Sequence, residues 1–309
     1  MDDRTRALVE LGRALGSTGY SFVTVSPETH RPRVDAAVAA GRAEARTLRD
    51  VFGWSRPFAP SVLPAAMLEL ARRAHVVEED GPHLRSRVRF SSLHGELFVH
   101  SAYPTLAPDA VFFGPDTYRF ADLVAREAGE ARRLVDVGCG SGAGGIVAGR
   151  RAAEVVLADV NPAALALAEV NAELAGIAAR VRTIEGDVLS AVDGPVDLVI
   201  ANPPYMVDHA SRTYRDGGGA FGEALAVRIV REALARLERG GRLVLYTGAA
   251  VVDGVDTFLH AVRGVCDGGA VEWRYWEIDP DVFGEEIEQN PAYAAVERIA
   301  AVALVARRR

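Results

Sequence analysis

Five short apolar runs alternate with helix-like segments from about residue 128 onward, and this pattern restricts the chain to few folds. Strands that alternate with helices are joined by right-handed crossovers, so they form a parallel sheet whose two faces the helices cover. The pattern therefore predicts an α/β fold with a mostly parallel sheet. The runs that predict strands are 132–138, 154–160, 180–187, 196–202 and 241–248, and the clearest helical patterns are 162–176 and 223–240.

Two later segments break the alternation. Residues 270–279 ("AVEWRYWEID") and 297–308 ("ERIAAVALVARR") both favour strands, and the sequence between them has no helical pattern. Strands that follow one another without a crossover helix can pair in opposite directions. We therefore expect an antiparallel pair at this end of the chain.

The beginning of the chain follows a less regular pattern. Residues 3–19 predict a helix that ends in a turn, and residues 61–101 predict a helix, a turn and two strands around Leu93–Gly95. A helix followed by a hairpin indicates a small α+β module, and a winged helix is one fold of that kind.

The join between the two patterns is marked by Pro104 and Pro108, within residues 102–110. Prolines are frequent in the segments that connect domains. We therefore expect an amino-terminal domain over residues 1–105 and a second domain over residues 106–309.

The composition is that of a globular chain with a substantial core. Apolar residues make up 49 % and charged residues 25 %, and no apolar run reaches the roughly 18 residues that cross a bilayer. The amino terminus lacks the basic start and apolar core of a signal peptide, and Cys139 and Cys266 give neither a disulfide framework nor a zinc spacing. We expect a reduced, cytoplasmic protein without a membrane segment.

The basic residues are all arginines, and the net charge is −7. No long basic run indicates a nucleic-acid groove. Arg85, Arg87 and Arg89 alternate along one segment, and strand geometry would place their side chains on one face. These three residues are thus the candidate contacts to nucleic-acid phosphates.

A glycine-rich turn, "VDVGCGSGAGG" over 135–145, directly follows the first predicted strand. Glycine permits the tight turn and lets the backbone approach a ligand closely. The helix start that follows presents free N–H groups to an anion or a carboxylate. The spacing Gly138-x-Gly140-x-x-Ala143 also satisfies a relaxed dinucleotide-binding pattern. The turn therefore predicts a cofactor site.

Acidic residues stand at the ends of successive predicted strands. Asp159 ends the second strand, roughly 20 residues after Asp136, where an acid can accept the hydroxyl pair of a ribose. Asp187 ends the third strand. Ligands of such folds bind outside the carboxyl ends of the strands, so we expect these acids to lie at the same cofactor site.

Together, four motifs resemble those of the class I S-adenosylmethionine (SAM)-dependent methyltransferases, in the branch that methylates planar amide or amino nitrogens. The motifs are "DVGCGSG" (136–142), Asp159, "GDV" (186–188) and "NPPY" (202–205). "FFGPDTYRFADLV" (112–124) is similar to the segment before the glycine turn in HemK-type protein-glutamine methyltransferases, and "GGGAFG" (217–222) is similar to their Gly-Gly-x-x-Gly. The resemblance covers about 112–309. It implies a Rossmann-like domain with a mostly parallel seven-stranded sheet, and SAM as the cofactor.

The same resemblance implies roles for individual residues. The catalytic residues would be Asn202, Pro203, Pro204 and Tyr205. The cofactor would be bound by Asp116, Thr117, Tyr118, Asp136, Gly138, Cys139, Gly140, Asp159, Val160, Asp187, Val188 and Asn202.

The NPPY corner suits a nitrogen that is a poor nucleophile because its lone pair is delocalised. Asn202 offers a side-chain carbonyl and Pro203 a backbone carbonyl, and two such acceptors could hold both N–H groups and orient the lone pair. The prolines make the corner rigid. Tyr205 could stack on the planar group.

The substrate is less determined than the chemistry. The resemblance favours a protein glutamine side chain, selected by the amino-terminal domain. A nucleic-acid base amine is the main alternative, since such an enzyme shares the corner but must extract its base and would benefit from a basic surface. A small-molecule amide or amine is a third possibility. A non-catalytic binding module would be expected to have lost the glycine turn or NPPY, and both are intact.

Several other features predict little chemistry. The histidines show no i, i+4 pair, so we expect no metal site. His209 and Tyr214 follow the NPPY corner and could line a substrate entrance. Residues 283–293 ("FGEEIEQNPAY") could form a lid or a simple connection.

Overall fold

The computed structural model describes residues 1–41, 43–208, 214–268 and 270–309. Among these residues, no helix is long and apolar enough to cross a membrane. We refer to residues 1–105 as the amino-terminal part and to residues 106–309 as the carboxyl-terminal part. The elements of the amino-terminal part are α1 (Asp3–Ser17), α2 (Pro27–Ala39), α3 (Leu48–Phe52), a 3-10 helix (Pro60–Val62), α4 (Ala65–Arg73), β1 (Val77–Asp80), β2 (His83–Ser86), β3 (Val88–Leu93) and β4 (Glu96–Ser101).

The carboxyl-terminal part alternates strands and helices along most of its length. Its elements are α5 (Pro115–Glu127), β5 (Ala131–Val137), α6 (Ala143–Gly149), β6 (Ala152–Asp159), α7 (Pro162–Leu174), a 3-10 helix (Ala178–Arg180), β7 (Val181–Glu185), β8 (Val196–Ala201), α8 (Ala224–Arg236), β9 (Leu237–Val252), β10 (Val255–Asp256), α9 (Thr257–Cys266), β11 (Val271–Asp279), α10 (Gly284–Gln289), a 3-10 helix (Pro291–Tyr293) and β12 (Arg298–Arg308).

The main sheet has the strand order β11-β12-β9-β8-β5-β6-β7, and the short β10 pairs with β9. The pairs from β7 through β6, β5 and β8 to β9 are parallel. Strand β12 runs antiparallel to both of its neighbours. The predicted α/β, Rossmann-like fold with a mostly parallel seven-stranded sheet is confirmed.

The expected antiparallel pair is also confirmed, since β11 and β12 are hydrogen-bonded partners. Two details differ from the sequence analysis. The short helix α10 lies between these strands, and β9 begins at Leu237, whereas the helix was expected to continue to residue 240. Leu237 is buried and already has an extended backbone (ψ 137°), so the chain turns directly into the sheet there.

Helices cover both faces of the sheet, as parallel sheets require. On one face, Val199 and Leu245 share a core with residues of α8 and α9. On the other face, Leu198 and Val244 pack with residues of α5 and α7. Successive strand residues point to opposite faces, which explains why neighbouring residues join different cores.

The amino-terminal part packs directly on α7. A Cβ atom on Gly12 of α1 would lie 2.9 Å from Leu174, so the glycine allows the two helices to approach closely. Asn171 of α7 is fully buried; its side chain accepts a hydrogen bond from the Val99 N–H (2.7 Å) and donates to the Val99 carbonyl (2.9 Å). The two parts therefore share a core, and the boundary at residue 105 stays a prediction.

The hairpin expected around Leu93–Gly95 is present as β3 and β4. The shared face expected for Arg85, Arg87 and Arg89 was wrong. Arg85 lies in β2 and pairs with Asp80, and Arg87 connects two strands. Arg89 lies in β3 and is only 3 % exposed. A short connection ends the alternation after Ser86, so these arginines form no common surface.

Candidate active site

A cleft of about 250 Å³ opens at the carboxyl ends of β5, β6, β7 and β8. Its walls also include Pro27 and Glu28 from the first turn of α2 and Ala110–Phe112 from the segment before α5. The cleft brings together most of the residues singled out in the sequence. Those that line it are Asp116, Thr117, Gly138, Cys139, Gly140, Asp159, Val160, Asp187, Val188, Asn202, Pro203, Pro204 and Tyr205.

The glycine turn after β5 forms the floor of the cleft. Gly138 and Gly140 have φ angles of 67° and 53°, in the left-handed region that side chains disfavour. A Cβ atom on either residue would meet nothing within 4 Å, so the turn leaves open space above its backbone. A ligand can therefore lie directly on the main chain, as the sequence predicted.

Asp136 lies under this turn rather than in the cleft. Its side chain is buried, and Oδ2 accepts a hydrogen bond from the Gly145 N–H at 2.7 Å. Burial raises the pKa of Asp136 to about 7. The residue thus supports the start of α6, and it is not among the lining residues of the cleft.

Asp159 ends β6 and fixes the glycine turn from the side. Its Oδ2 accepts a hydrogen bond from the Gly140 N–H (2.8 Å), and its Oδ1 accepts one from the Asn161 N–H (2.9 Å). Burial raises its pKa. Each oxygen retains a further acceptor position, so the carboxylate can both hold the turn and accept hydroxyl groups of a ligand.

The next wall of the cleft combines a charged pair with apolar side chains. Asp187 accepts from Nη1 of Arg228 at 3.0 and 2.8 Å, a partner that sequence reasoning missed. Val160 is 51 % exposed although apolar. Val188 has a φ of 54°, which is rare for a β-branched residue and typical of functional sites. Both valines line the cleft and give this wall an apolar surface.

The NPPY corner faces the glycine turn across the cleft. Among the described residues, neither the Asn202 side chain nor the Pro203 carbonyl has a hydrogen-bond partner. The glycine segment resembling Gly-Gly-x-x-Gly lies against the corner: a Cβ atom on Gly217 would lie 2.6 Å from the Pro204 carbonyl oxygen, and one on Gly222 would lie 2.1 Å from the Tyr205 carbonyl oxygen. Glycines there allow two stretches of backbone to touch.

The Tyr205 ring is anchored rather than free. It is 7 % exposed and packs on Gly248, where a Cβ atom would lie 2.1 Å from the ring. Its hydroxyl donates to Oδ2 of Asp116 at 2.7 Å, and the hydroxyl of Tyr246 donates to Oδ1 at 2.6 Å. Burial, with the Asp116 carboxylate second, raises the pKa of both tyrosines. The sequence offered one signal for Tyr246, namely a tyrosine inside the apolar run 241–248, because a tyrosine buried in a strand usually needs a partner for its hydroxyl.

Thr117 and Tyr118 take different positions in the first turn of α5. Thr117 lines the cleft, and its Oγ1 accepts from the Gly114 N–H at 3.2 Å. Tyr118 is not among the lining residues; its hydroxyl accepts from the Thr24 N–H (2.9 Å) in the amino-terminal part. The helix turns these adjacent side chains about 100° apart, which the motif alone does not reveal.

Comparisons with known proteins relate the part of the chain that forms the sheet to methyltransferases. Residues 120–251 match the family model "Methyltransferase small domain". Release factor glutamine methyltransferase from Deinococcus radiodurans is 34 % identical over 175 residues, covering 52 % of this chain and 62 % of that protein. Ribosomal RNA small subunit methyltransferase C from Chromohalobacter salexigens is 36 % identical over 118 residues, covering 38 % of this chain and 32 % of that protein. The chain resembles the class I methyltransferases of the HemK type.

The likeness to these HemK-type and other relatives is partial, since the chain spans less than two thirds of the length of both. Among solved structures, Trm5b from Pyrococcus abyssi superposes with a TM-score of 0.51 at 17 % identity, covering 80 % of this chain and 68 % of that one. At that identity the superposition shows a shared fold.

The segment 283–293 contacts Val207 and Arg215, which follow NPPY in the chain. The Tyr293 hydroxyl accepts from the Val207 N–H (2.7 Å), and Asn290 Nδ2 donates to the Val207 carbonyl (3.0 Å). Glu286 forms an ion pair with Arg215. In this structure the segment is a packed support, whereas the sequence left a lid or a simple connection open.

The charged residues that line the cleft are mostly acidic. Glu28, Asp116, Asp159 and Asp187 face one basic residue, Arg215, among the described lining residues. Tyr214 also lines the cleft, stacked on Phe112 with ring centroids 5.8 Å apart, while His209 lies outside the described residues. Within the described part of the chain, no cluster of three or more His, Cys, Asp and Glu could hold a metal ion.

Proposed function

We propose that this protein is a SAM-dependent N-methyltransferase that modifies a planar amide nitrogen, the side chain of a protein glutamine. One observation carries the proposal: Asn202 and Pro203 of the NPPY corner line the same cleft as the glycine turn, and their oxygen acceptors have no hydrogen-bond partner among the described residues. Cofactor and acceptor sites are thus parts of one cavity.

The lining residues fit SAM. Gly138 and Gly140 leave open backbone for the amino-acid end of the cofactor, and Asp159 keeps acceptor capacity for the ribose hydroxyls. Val160 and Val188 would cover the adenine ring. SAM supplies an electrophilic methyl group on a sulfonium.

The acceptor site would accelerate methyl transfer by orienting the substrate nitrogen and holding it close to the methyl group. Asn202 Oδ1 and the Pro203 carbonyl each accept one N–H of the carboxamide, so that the nitrogen lone pair can point at the methyl carbon. With SAM bound, a new N–C bond would form as the S–C bond breaks, S-adenosylhomocysteine would be the leaving group, and one N–H proton would pass to water. The two acceptors hold the positive charge that develops on this nitrogen.

A protein is the preferred substrate class for two reasons. Several similar proteins are named release factor glutamine methyltransferases. The predominance of acidic lining residues would also repel the phosphates of a nucleic acid. The similar ribosomal RNA methyltransferase keeps base methylation as the second candidate. The amino-terminal part would select the substrate, since Pro27 and Glu28 form part of the cleft wall.

Labelling with tritiated SAM tests this proposal. The purified full-length chain is incubated with SAM and a cell lysate, and the labelled macromolecules are digested separately with protease and nuclease. We expect protease to release the label, and peptide mass spectrometry to locate the methyl group on glutamine. The Asn202→Ala variant is the control and should transfer little label.

Release of the label by nuclease alone would favour the base-methylating alternative. Label found only in small molecules, and in neither the protease nor the nuclease digest, would indicate a small-molecule acceptor. A wild-type chain that binds no SAM would contradict the proposed function altogether.

A further inference from the structure

We infer that Asp116 is the positioning residue of the acceptor site and acts through Tyr205, instead of serving mainly as a cofactor ligand. This inference rests on the proposed function. The motif resemblance gave Asp116 to the cofactor, but both of its carboxylate oxygens are hydrogen-bonded to tyrosine hydroxyls, at 2.7 and 2.6 Å.

The Asp116 carboxylate is a buried junction that accepts three hydrogen bonds. The residue is 5 % exposed and also receives Nη1 of Arg119 at 3.2 Å. Arg119 in turn contacts Asp279 at the end of β11 (2.7 Å). Because hydrogen bonds to charged groups are stronger than neutral ones, this network ties α5, β9 and β11 to the NPPY corner.

Tyr205 transmits this restraint to the acceptor oxygens. Asn202 lies three residues before Tyr205, and the residues between them, Pro203 and Pro204, have fixed φ angles. A ring that is bonded to Asp116 at its hydroxyl and packed against Gly248 therefore restrains the position of the whole corner. With 7 % of the residue exposed, little of Tyr205 remains to stack on a substrate.

Measurements of SAM affinity and of turnover distinguish an anchoring role of Asp116 from a cofactor-binding role. A cofactor ligand changes SAM affinity when it is replaced. A positioning residue changes turnover at saturating SAM, because small displacements of an oriented group can cost up to about a hundredfold in rate.

The experiment uses three variants of the full-length chain: Asp116→Asn, Tyr205→Phe and Tyr275→Phe. Tyr275 is a matched control, since its hydroxyl also donates to a carboxylate, that of Asp256, away from the cleft. We expect Asp116→Asn and Tyr205→Phe each to lower turnover by about tenfold, with SAM affinity within about threefold of wild type. Their double variant should be little worse than either single one, because both remove the same link. Tyr275→Phe should keep wild-type turnover.

Hydrogen exchange supplies a readout that does not depend on activity. The Met206 N–H is bonded to the Arg215 carbonyl, and the Gly217 N–H to the Met206 carbonyl. Both should exchange faster in Asp116→Asn and Tyr205→Phe, and remain unchanged in Tyr275→Phe.

Unchanged exchange and turnover in Tyr205→Phe would overturn the inference. A large loss of SAM affinity in Asp116→Asn, with normal turnover at saturating SAM, would show that Asp116 is a cofactor ligand and not a positioning residue. If the wild-type chain transfers no methyl group, the proposed function fails, and the exchange measurement still tests the anchor.

Discussion

Each part of the chain buries a charged side chain, but the two surroundings differ. In the carboxyl-terminal part, Asp116 is 5 % exposed and receives two tyrosine hydroxyls and Arg119. In the amino-terminal part, Arg89 is 3 % exposed, and its Nε and Nη2 have no hydrogen-bond partner among the described residues. One charge is satisfied by its neighbours, and the other is not.

The surroundings of Arg89 explain this contrast. The guanidinium lies over the Phe22 ring, 5.3 Å from its centroid, and burial lowers the pKa of Arg89 to about 10. The groups that favour its charge are tyrosines, among them Tyr20 and Tyr118. Asn202 differs from Arg89 because it is only partly buried and lines the cleft, where a bound substrate could pair with its acceptor. Arg89 does not line the cleft, so its unpaired nitrogens mark a cost in stability.

The largest expected effect is on turnover in Asn202→Ala. We expect turnover to fall by roughly a hundredfold or more, because the variant loses one positioned acceptor for the substrate N–H. SAM affinity should stay within about a factor of three, and the free energy of unfolding should hardly change. Steady-state kinetics and calorimetry measure these quantities. Near-normal turnover would mean that the unpaired side-chain amide of Asn202 has no role in catalysis, like the unpaired nitrogens of Arg89.

Asp159→Ala should have the next largest effect, on SAM affinity. Loss of a charged acceptor is worth about 1.5–3 kcal/mol, so the dissociation constant should rise on the order of tenfold to a hundredfold. Asp159→Asn is the control: it keeps one acceptor oxygen for the glycine turn and should lose less. Unchanged SAM affinity in Asp159→Ala would contradict the ribose role.

The sequence predicted the parallel sheet and most of the cleft because both follow from local patterns. Glycines after a strand and acids at strand ends are spaced along the chain just as the sheet edge requires. The link between Asp116 and Tyr246 could not be predicted, since it joins residues 130 positions apart and depends on how α5 packs on β9. The position of Arg89 was missed because a strand break after Ser86 leaves no periodic signal.

Arg89→Met tests the contrast between the buried charges directly. The lowered pKa corresponds to roughly 3 kcal/mol against the charged form, and the variant gives up the contact with Phe22 in return. We therefore expect the free energy of unfolding to rise by about 1–2 kcal/mol, as when buried ions are replaced by apolar residues. Chemical denaturation measures it. Arg87→Met, two residues away and 61 % exposed in its side chain, is the control and should change little. A destabilised Arg89→Met would show that Arg89 is better satisfied than its contacts indicate.

The smallest expected effect is a pH dependence that has opposite signs in the two parts. Burial lowers the pKa of His30 to about 4, so the unfolded chain binds its proton first, and stability is lost as pH falls from about 6.5 toward 4. Burial raises the pKa of Asp136 to about 7, so its contribution is present at low pH and is lost as pH rises toward 7.

His30→Phe should remove the first of these two dependences and leave the second. The aromatic ring keeps the contacts with Trp54 and Tyr103, whose centroids lie 5.2 and 4.0 Å away. The variant should therefore lose less stability than wild type between about pH 6.5 and pH 5, by on the order of 1 kcal/mol after allowance for solvent screening. Denaturation curves at those two pH values measure the difference, and His260→Phe, at an exposed position of α9, is the control. Equal losses in wild type and His30→Phe would mean that His30 is not held neutral, and that the amino-terminal part tolerates a second positive charge beside Arg89.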